Sequence, residues 1–90
     1  MVGTAGCTII GTEIGDTIRG TLGDDVICGL GGDDILWGGP GTDTLRGGNG
    51  DDTIWGGIDS DTLTGGAGAD MLHGGSGDDT LDGNTQNDAL

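Results

Sequence analysis

The chain keeps a nine-residue period from Val2 to Leu90, with no insertion or deletion. Divided from Val2 it reads VGTAGCTII, GTEIGDTIR, GTLGDDVIC, GLGGDDILW, GGPGTDTLR, GGNGDDTIW, GGIDSDTLT, GGAGADMLH, GGSGDDTLD and the incomplete GNTQNDAL. Gly opens nine of the ten blocks, and Asp holds the sixth place in nine of ten. The eighth place is always Ile or Leu. Such a period marks a solenoid, whose repeats bury their apolar residues only against neighbouring copies. It excludes collagen, where glycine recurs every third residue. Composition alone would point to disorder, because a net charge of -14 accompanies only two aromatic residues. A disordered tail has no reason to keep a register.

One block can be read as physics. The last three residues, such as Thr53-Ile54-Trp55, make a short strand whose side chains alternate. The eighth-place residue points in and its two neighbours point out. The first six residues, such as Gly47 to Asp52, make a loop whose glycines permit positive φ. One block is then a half-turn, and eighteen residues close a coil. Coils stack at about 4.8 Å, the spacing of paired strands. Residues eighteen apart become neighbours, so Asp16, Asp34, Asp52, Asp70 and Asp88 align on one edge. Asp25, Asp43, Asp61 and Asp79 align on the other. Carboxylates about 5 Å apart repel by about 3 kcal/mol at an effective dielectric of 20. A cation between coils would relieve this. Calcium suits the gap, taking six to eight oxygens in flexible geometry, whereas magnesium demands a tighter octahedron and keeps its waters. Zinc prefers nitrogen and sulfur, and the chain has one His and two Cys.

The blocks resemble the RTX nonapeptide G-G-x-G-x-D-x-U-x, in which U is a large apolar residue. GGPGTDTLR, GGNGDDTIW, GGAGADMLH and GGSGDDTLD match it in full. The resemblance implies an all-β fold, a right-handed parallel β-roll with two thin sheets and a column of Ile/Leu from each between them. Residues 1–10 read as a degenerate N-terminal cap and 11–90 as the calcium-binding roll. In RTX rolls each calcium lies between two loops of one edge. The earlier loop gives the carbonyls of its second and fourth residues, the later loop those of its first and third, and each gives its sixth-place Asp. Carried over, Thr21, Gly23 and Asp25 pair with Gly38, Pro40 and Asp43. Leu30, Gly32 and Asp34 pair with Gly47, Asn49 and Asp52. Gly39, Gly41 and Asp43 pair with Gly56, Ile58 and Asp61. Gly48, Gly50 and Asp52 pair with Gly65, Ala67 and Asp70. Gly57, Asp59 and Asp61 pair with Gly74, Ser76 and Asp79. At the ends, Thr12, Ile14 and Asp16 would pair with Gly29, Gly31 and Asp34, and Gly66, Gly68 and Asp70 with Gly83, Thr85 and Asp88. Ile14 counts against the first of these, since a β-branched residue resists positive φ. The resemblance thus implies about five to seven calcium ions. The fifth-place acids Asp24, Asp33, Asp51 and Asp78 are expected to face water.

Other residues decorate this frame. Cys7 and Cys28 are a candidate disulfide, which fits an extracellular protein. In strict register their Cα atoms would lie about 11 Å apart, from ~4.8 Å across and ~10 Å along the sheet, beyond the roughly 7 Å a disulfide allows. Either the first block leaves register as a cap, or both thiols are free. Trp37 and Trp55 share the ninth place and should stack outside one sheet, flanked by Arg19 and His73. This column is a docking face or a ladder that shields the sheet. Outward Thr8, Thr44, Thr62 and Thr80 are interrupted by Val26, and their partner column is irregular, which disfavours an ice-binding surface.

Function classes narrow accordingly. The acidic surface excludes nucleic acid, which needs a basic footprint, and disfavours anionic membranes. Apolar runs are too short for a membrane-spanning helix. One His and loop-borne Ser60 and Ser76 assemble no nucleophile–base set, so no enzyme is expected. MVGTAGCTII has no basic start or apolar stretch and does not read as a signal peptide. The leading expectation, by resemblance, is a secreted structural module that folds on binding calcium, in families where the roll is an appendage to a protease, lipase, toxin or adhesin. The alternative is a partner-binding or self-associating module that uses the Trp face, or an uncapped C-terminal end, with calcium only as scaffold.

Overall fold

The computed structural model describes residues 6–83. Those residues form nine strands and no helix. The strands are β1 (Ile9–Ile10), β2 (Thr17–Arg19), β3 (Val26–Cys28), β4 (Ile35–Gly39), β5 (Thr44–Arg46), β6 (Thr53–Gly57), β7 (Thr62–Thr64), β8 (Met71–Gly75) and β9 (Thr80–Asp82). They alternate between two sheets, ordered β1-β3-β5-β7-β9 and β2-β4-β6-β8. Every pairing is parallel and joins residues eighteen apart, as in Leu36↔Ile54 and Leu45↔Leu63. The fold is a parallel β-solenoid of about four turns. Strands β4, β6 and β8 run into the next block, so Gly39, Gly57 and Gly75 also pair. The short-strand reading missed those two extra residues.

Side-chain alternation builds the core. Ile27, Leu36, Leu45, Ile54, Leu63 and Leu72 form one buried cluster between the sheets. Ile9, Ile18 and Leu81 pack against it but are only partly buried. These three sit on β1, β2 and β9, at the ends of the two described sheets, where each has a paired strand on one side only. Leu90, the tenth expected core residue, lies outside the described residues.

The N-terminal block behaves differently from either reading of its cysteines. Cys7 and Cys28 are joined by a disulfide with their Cα atoms 6.0 Å apart. Yet β1 keeps strict register, with Ile9 opposite Ile27 and Ile10 opposite Cys28. The 11 Å expectation assumed an extended chain back to Cys7. Instead the strand starts at Ile9, the backbone bends at Thr8, and Gly6 takes a φ of 81°. The bend brings Cys7 to outward-facing Cys28 without a register slip. Thr8 fastens the bend, its N–H donating to the Val26 carbonyl (2.8 Å) while its hydroxyl accepts the Val26 N–H (3.0 Å).

The outer face of the second sheet carries the aromatic column. Trp37 and Trp55 stack with centroids 5.1 Å apart, and His73 stacks on Trp55 at 5.4 Å. The Arg19 guanidinium lies 4.9 Å from the Trp37 ring. Parallel in-register strands stack like rings naturally, because identical places superpose at the strand spacing.

The gradient of core burial makes a test. Leu45→Ala should cost about 2–5 kcal/mol, as expected for a fully buried Leu, while Leu81→Ala should cost clearly less. Chemical denaturation of both variants in saturating calcium measures this; equal losses would contradict the described packing.

Candidate metal centres

Two edges of the solenoid carry the loops. Loops 11–16, 29–34, 47–52 and 65–70 stack on one edge, and loops 20–25, 38–43, 56–61 and 74–79 on the other. From residue 29 onward the loops share one backbone shape. Their second-place residues have positive φ: Leu30 at 73°, Gly39, Gly48, Gly57, Gly66 and Gly75. So do their fourth-place residues: Gly32, Gly41, Gly50, Asp59 at 70°, Gly68 and Gly77. This conformation is the one that favours glycine. Leu30 and Asp59 enter it without a β-branch, and Asp tolerates it better than most.

That shape aims carbonyls across the gap between coils. A Cβ built on Gly57 would lie 2.6 Å from the Gly39 carbonyl, and one on Gly50 would run into that of Gly32. Cβ atoms on Gly66 and Gly68 would run into the carbonyls of Gly48 and Gly50. Second- and fourth-place carbonyls therefore face their counterparts one coil later. First-place carbonyls face the other way, toward the preceding coil. The Gly56 carbonyl and Asp43 Oδ2 both lie 2.7 Å from the point a Cβ on Gly38 would occupy. Gly74 and Asp61 repeat this at Gly56, also at 2.7 Å. The first-place glycines Gly29, Gly47 and Gly65 likewise leave room for Asp34, Asp52 and Asp70. The third-place residues Asn49, Ile58, Ala67 and Ser76 lie exposed at the loop tips, with Pro40 half-buried. Asn49 and Ser76 donate their N–H groups to the carbonyls of Leu30 (2.8 Å) and Gly57 (3.1 Å).

The sixth-place carboxylates divide their two oxygens. Oδ1 accepts the N–H of the sixth-place Asp one coil earlier: Asp16 to Asp34, Asp25 to Asp43, Asp34 to Asp52, Asp43 to Asp61, Asp52 to Asp70 and Asp61 to Asp79, at 2.7–2.8 Å. Oδ2 of Asp34, Asp43, Asp52 and Asp61 is buried with no hydrogen-bond partner. Repulsion was expected to dominate these columns; the ladder of N–H groups offsets part of it. The unsatisfied oxygen does not benefit. Burial pushes the Asp52 carboxyl up to about 8 and the Asp43 carboxyl up to about 6, against an ordinary 3.8. Burial also raises Asp34 and Asp61. The backbone N–H on each of these four works in the opposite direction, and neighbouring carboxylates add to the rise. A buried, unpaired, charge-bearing oxygen is costly, and a cation in the gap would supply the missing partner. Backbone carbonyls and two carboxylates per gap form a hard oxygen donor set suited to calcium. Among the described residues no three His, Cys, Asp or Glu side chains gather in one group, so main-chain oxygens would have to complete the donor set beside the carboxylates.

Two loops do not share this shape. In loops 11–16 and 20–25 neither the second- nor the fourth-place residue has positive φ. Thr12 and Thr21 hydrogen-bond their own sixth-place Asp instead. Sequence reading missed this, although the GT openings of these two blocks distinguish them from the later GL and GG openings. It also missed a task of the fifth-place acids. Asp24, Asp33 and Asp51 are exposed as expected, but each accepts an N–H one coil later, from Thr42, Asp51 and Ala69 at 2.8 Å. Asp59 reaches back to the Gly41 N–H at 3.1 Å. Gly83 is described and buried, whereas Thr85 and Asp88 of the last expected site lie outside the described residues.

A parallel solenoid whose coils face each other through carbonyls and half-satisfied carboxylates is a metal-binding roll. The profile of the RTX calcium-binding nonapeptide repeat matches residues 10–45, 29–72 and 56–90. The chain belongs to that family, and its repeats form a calcium-binding β-roll module. Comparison with curated proteins and with solved structures finds no match.

The raised carboxyls fix a pH dependence for the metal-free chain. Groups held above their ordinary value bind protons more tightly in the fold, so their contribution is fully present below about pH 4. It is lost as pH rises through about 6 at Asp43 and about 8 at Asp52. Circular dichroism of calcium-stripped protein should show more strand at pH 4 than at pH 8. With saturating calcium the order should reverse, because ligands must shed their protons. More strand at pH 8 in the stripped protein would contradict the assignment.

Proposed function

We propose that the chain is a structural module that folds as calcium enters the gaps between stacked loops. The observation that carries this reading is the set of buried, unpartnered Oδ2 atoms of Asp34, Asp43, Asp52 and Asp61. Each lies against the first-place glycine of its own loop, at a point the first-place carbonyl one coil later also approaches. Calcium would there be held by second- and fourth-place carbonyls of one loop, first- and third-place carbonyls of the next, and both sixth-place carboxylates. Binding to the native state then adds directly to folding stability by mass action. The Cys7–Cys28 disulfide fits a secreted protein, since disulfides persist in oxidising compartments.

The Trp37–Trp55 column supports a second reading, an interaction face with calcium as scaffold. Its stacked rings favour a stabilising ladder instead: aromatic pairs contribute about 0.5–1.5 kcal/mol beyond their burial, and Arg19 adds a cation–π contact. Replacing Trp37 and Trp55 together by Ala should lower stability and leave the solution mass unchanged. A fall from oligomer to monomer on this replacement would favour the interaction face.

The central test is a calcium titration followed by circular dichroism, with magnesium as control. Strand signal should rise with calcium and not with equal magnesium. Full strand signal already present in chelator at neutral pH would overturn calcium-driven folding.

A further inference from the structure

The loops at the start of the solenoid carry the same sixth-place Asp as the others but treat it differently. Thr21 donates its N–H to Asp25 Oδ2 at 2.7 Å and its hydroxyl to Asp25 Oδ1 at 2.9 Å. Thr12 does the same to Asp16, with its N–H on Oδ2 at 2.7 Å and its hydroxyl on Oδ1 and Oδ2 at 3.1 and 2.9 Å. These Oδ2 atoms stand where their counterparts do in later loops. A Cβ on Gly20 would meet both Asp25 Oδ2 and the Gly38 carbonyl, at 2.5 and 2.6 Å. In the later loops the equivalent oxygen of Asp34, Asp43, Asp52 and Asp61 has no partner. Both early loops carry Thr at the second place, where the later ones carry Leu30 or Gly; loop 20–25 keeps Gly23 at the fourth place, whereas loop 11–16 also carries Ile14 there.

We propose that Thr21, and Thr12 in the same way, withholds its loop from calcium by occupying the Asp carboxylate with its own N–H and hydroxyl, so that the second-place residue decides which loops take an ion. This rests on the calcium reading above. The backbone of loop 20–25 supplies a second, independent observation. Its fourth place is Gly23, free to take the positive φ of later loops, yet it does not. Gly23 instead donates its N–H to the Thr21 hydroxyl at 3.2 Å. Thr cannot enter the second-place conformation cheaply, because a β-branched residue resists positive φ, whereas Leu30 enters it at 73°. The threonine thus selects a loop shape in which the carboxylate is satisfied by protein. The first coil is closed by other protein bonds as well, the Cys7–Cys28 disulfide and the Thr8–Val26 pair. Among gaps whose two loops are both described, four then have a regular earlier loop, those starting from Asp34, Asp43, Asp52 and Asp61. The expectation of an ion between Asp25 and Asp43 is withdrawn under this proposal.

Native mass spectrometry and calorimetry of the full chain with calcium count the ions. Thr21→Gly should bind one ion more than the wild type, and Thr21→Ser, which keeps the hydroxyl and is not β-branched at carbon, should bind the wild-type number. Asp25→Asn in the wild-type background should lose none, since Asp25 holds no ion there. Equal counts for wild type and Thr21→Gly overturn the proposal, and so does an ion lost in Asp25→Asn, which does not depend on how the Gly variant folds. Absence of calcium binding in the wild type at millimolar ion overturns the calcium reading, and this proposal with it.

Discussion

The structure depends on one carboxylate used twice. Each sixth-place Asp from Asp34 to Asp61 fixes the coil before it through Oδ1 and presents Oδ2 to the coil after it. The first contact sets the register of the loops, and the second creates the demand for a cation. A neutral residue could serve the ladder but would carry no charge to the gap. A carboxylate without the ladder would be free to turn toward water. The combination leaves a charge-bearing oxygen indoors, which is why the metal-free fold is costly near neutral pH and why a hard divalent ion is the natural complement.

Glycine's part follows from the same gap. The first-place glycines leave out a side chain that would collide with Asp Oδ2 and with a carbonyl one coil away, as at Gly38. The second- and fourth-place positions need positive φ to turn their carbonyls across the gap. One residue type thus meets two demands, space at the first place and conformation at the others. The slender core contributes a single buried residue per half-turn, so the loops carry an unusually large share of what holds the coils together.

Most of this was legible in the sequence because the period is unbroken. An eighteen-residue neighbour relation follows from the nine-residue block, and with it the two sheets, the core column, the Asp columns and the stacking of Trp37 on Trp55. Departures from the repeat were harder to read. The Cys7–Cys28 bridge looked incompatible with strict register because an extended chain was assumed up to Cys7, while a bend at Thr8 resolves it. The Thr12 and Thr21 bonds were invisible to periodicity, since they are local and depend on side-chain hydroxyls that the repeat pattern does not weigh. The inter-coil bonds of Asp24, Asp33 and Asp51 were missed for the opposite reason: an acidic residue beside an acidic residue was read as solvated charge.

The ladder Arg19–Trp37–Trp55–His73 occupies only one of the two sheets. The backbone repeats every nine residues, but its decoration repeats every eighteen. Gain or loss of two blocks would lengthen or shorten the roll and leave each surface where it is. Gain or loss of one block would send every downstream loop to the opposite edge and every downstream outer column to the opposite sheet. Chain length in such a roll is therefore quantised by the asymmetry of its two faces, and whole coils, not single blocks, are the units by which it can change without scrambling its surface.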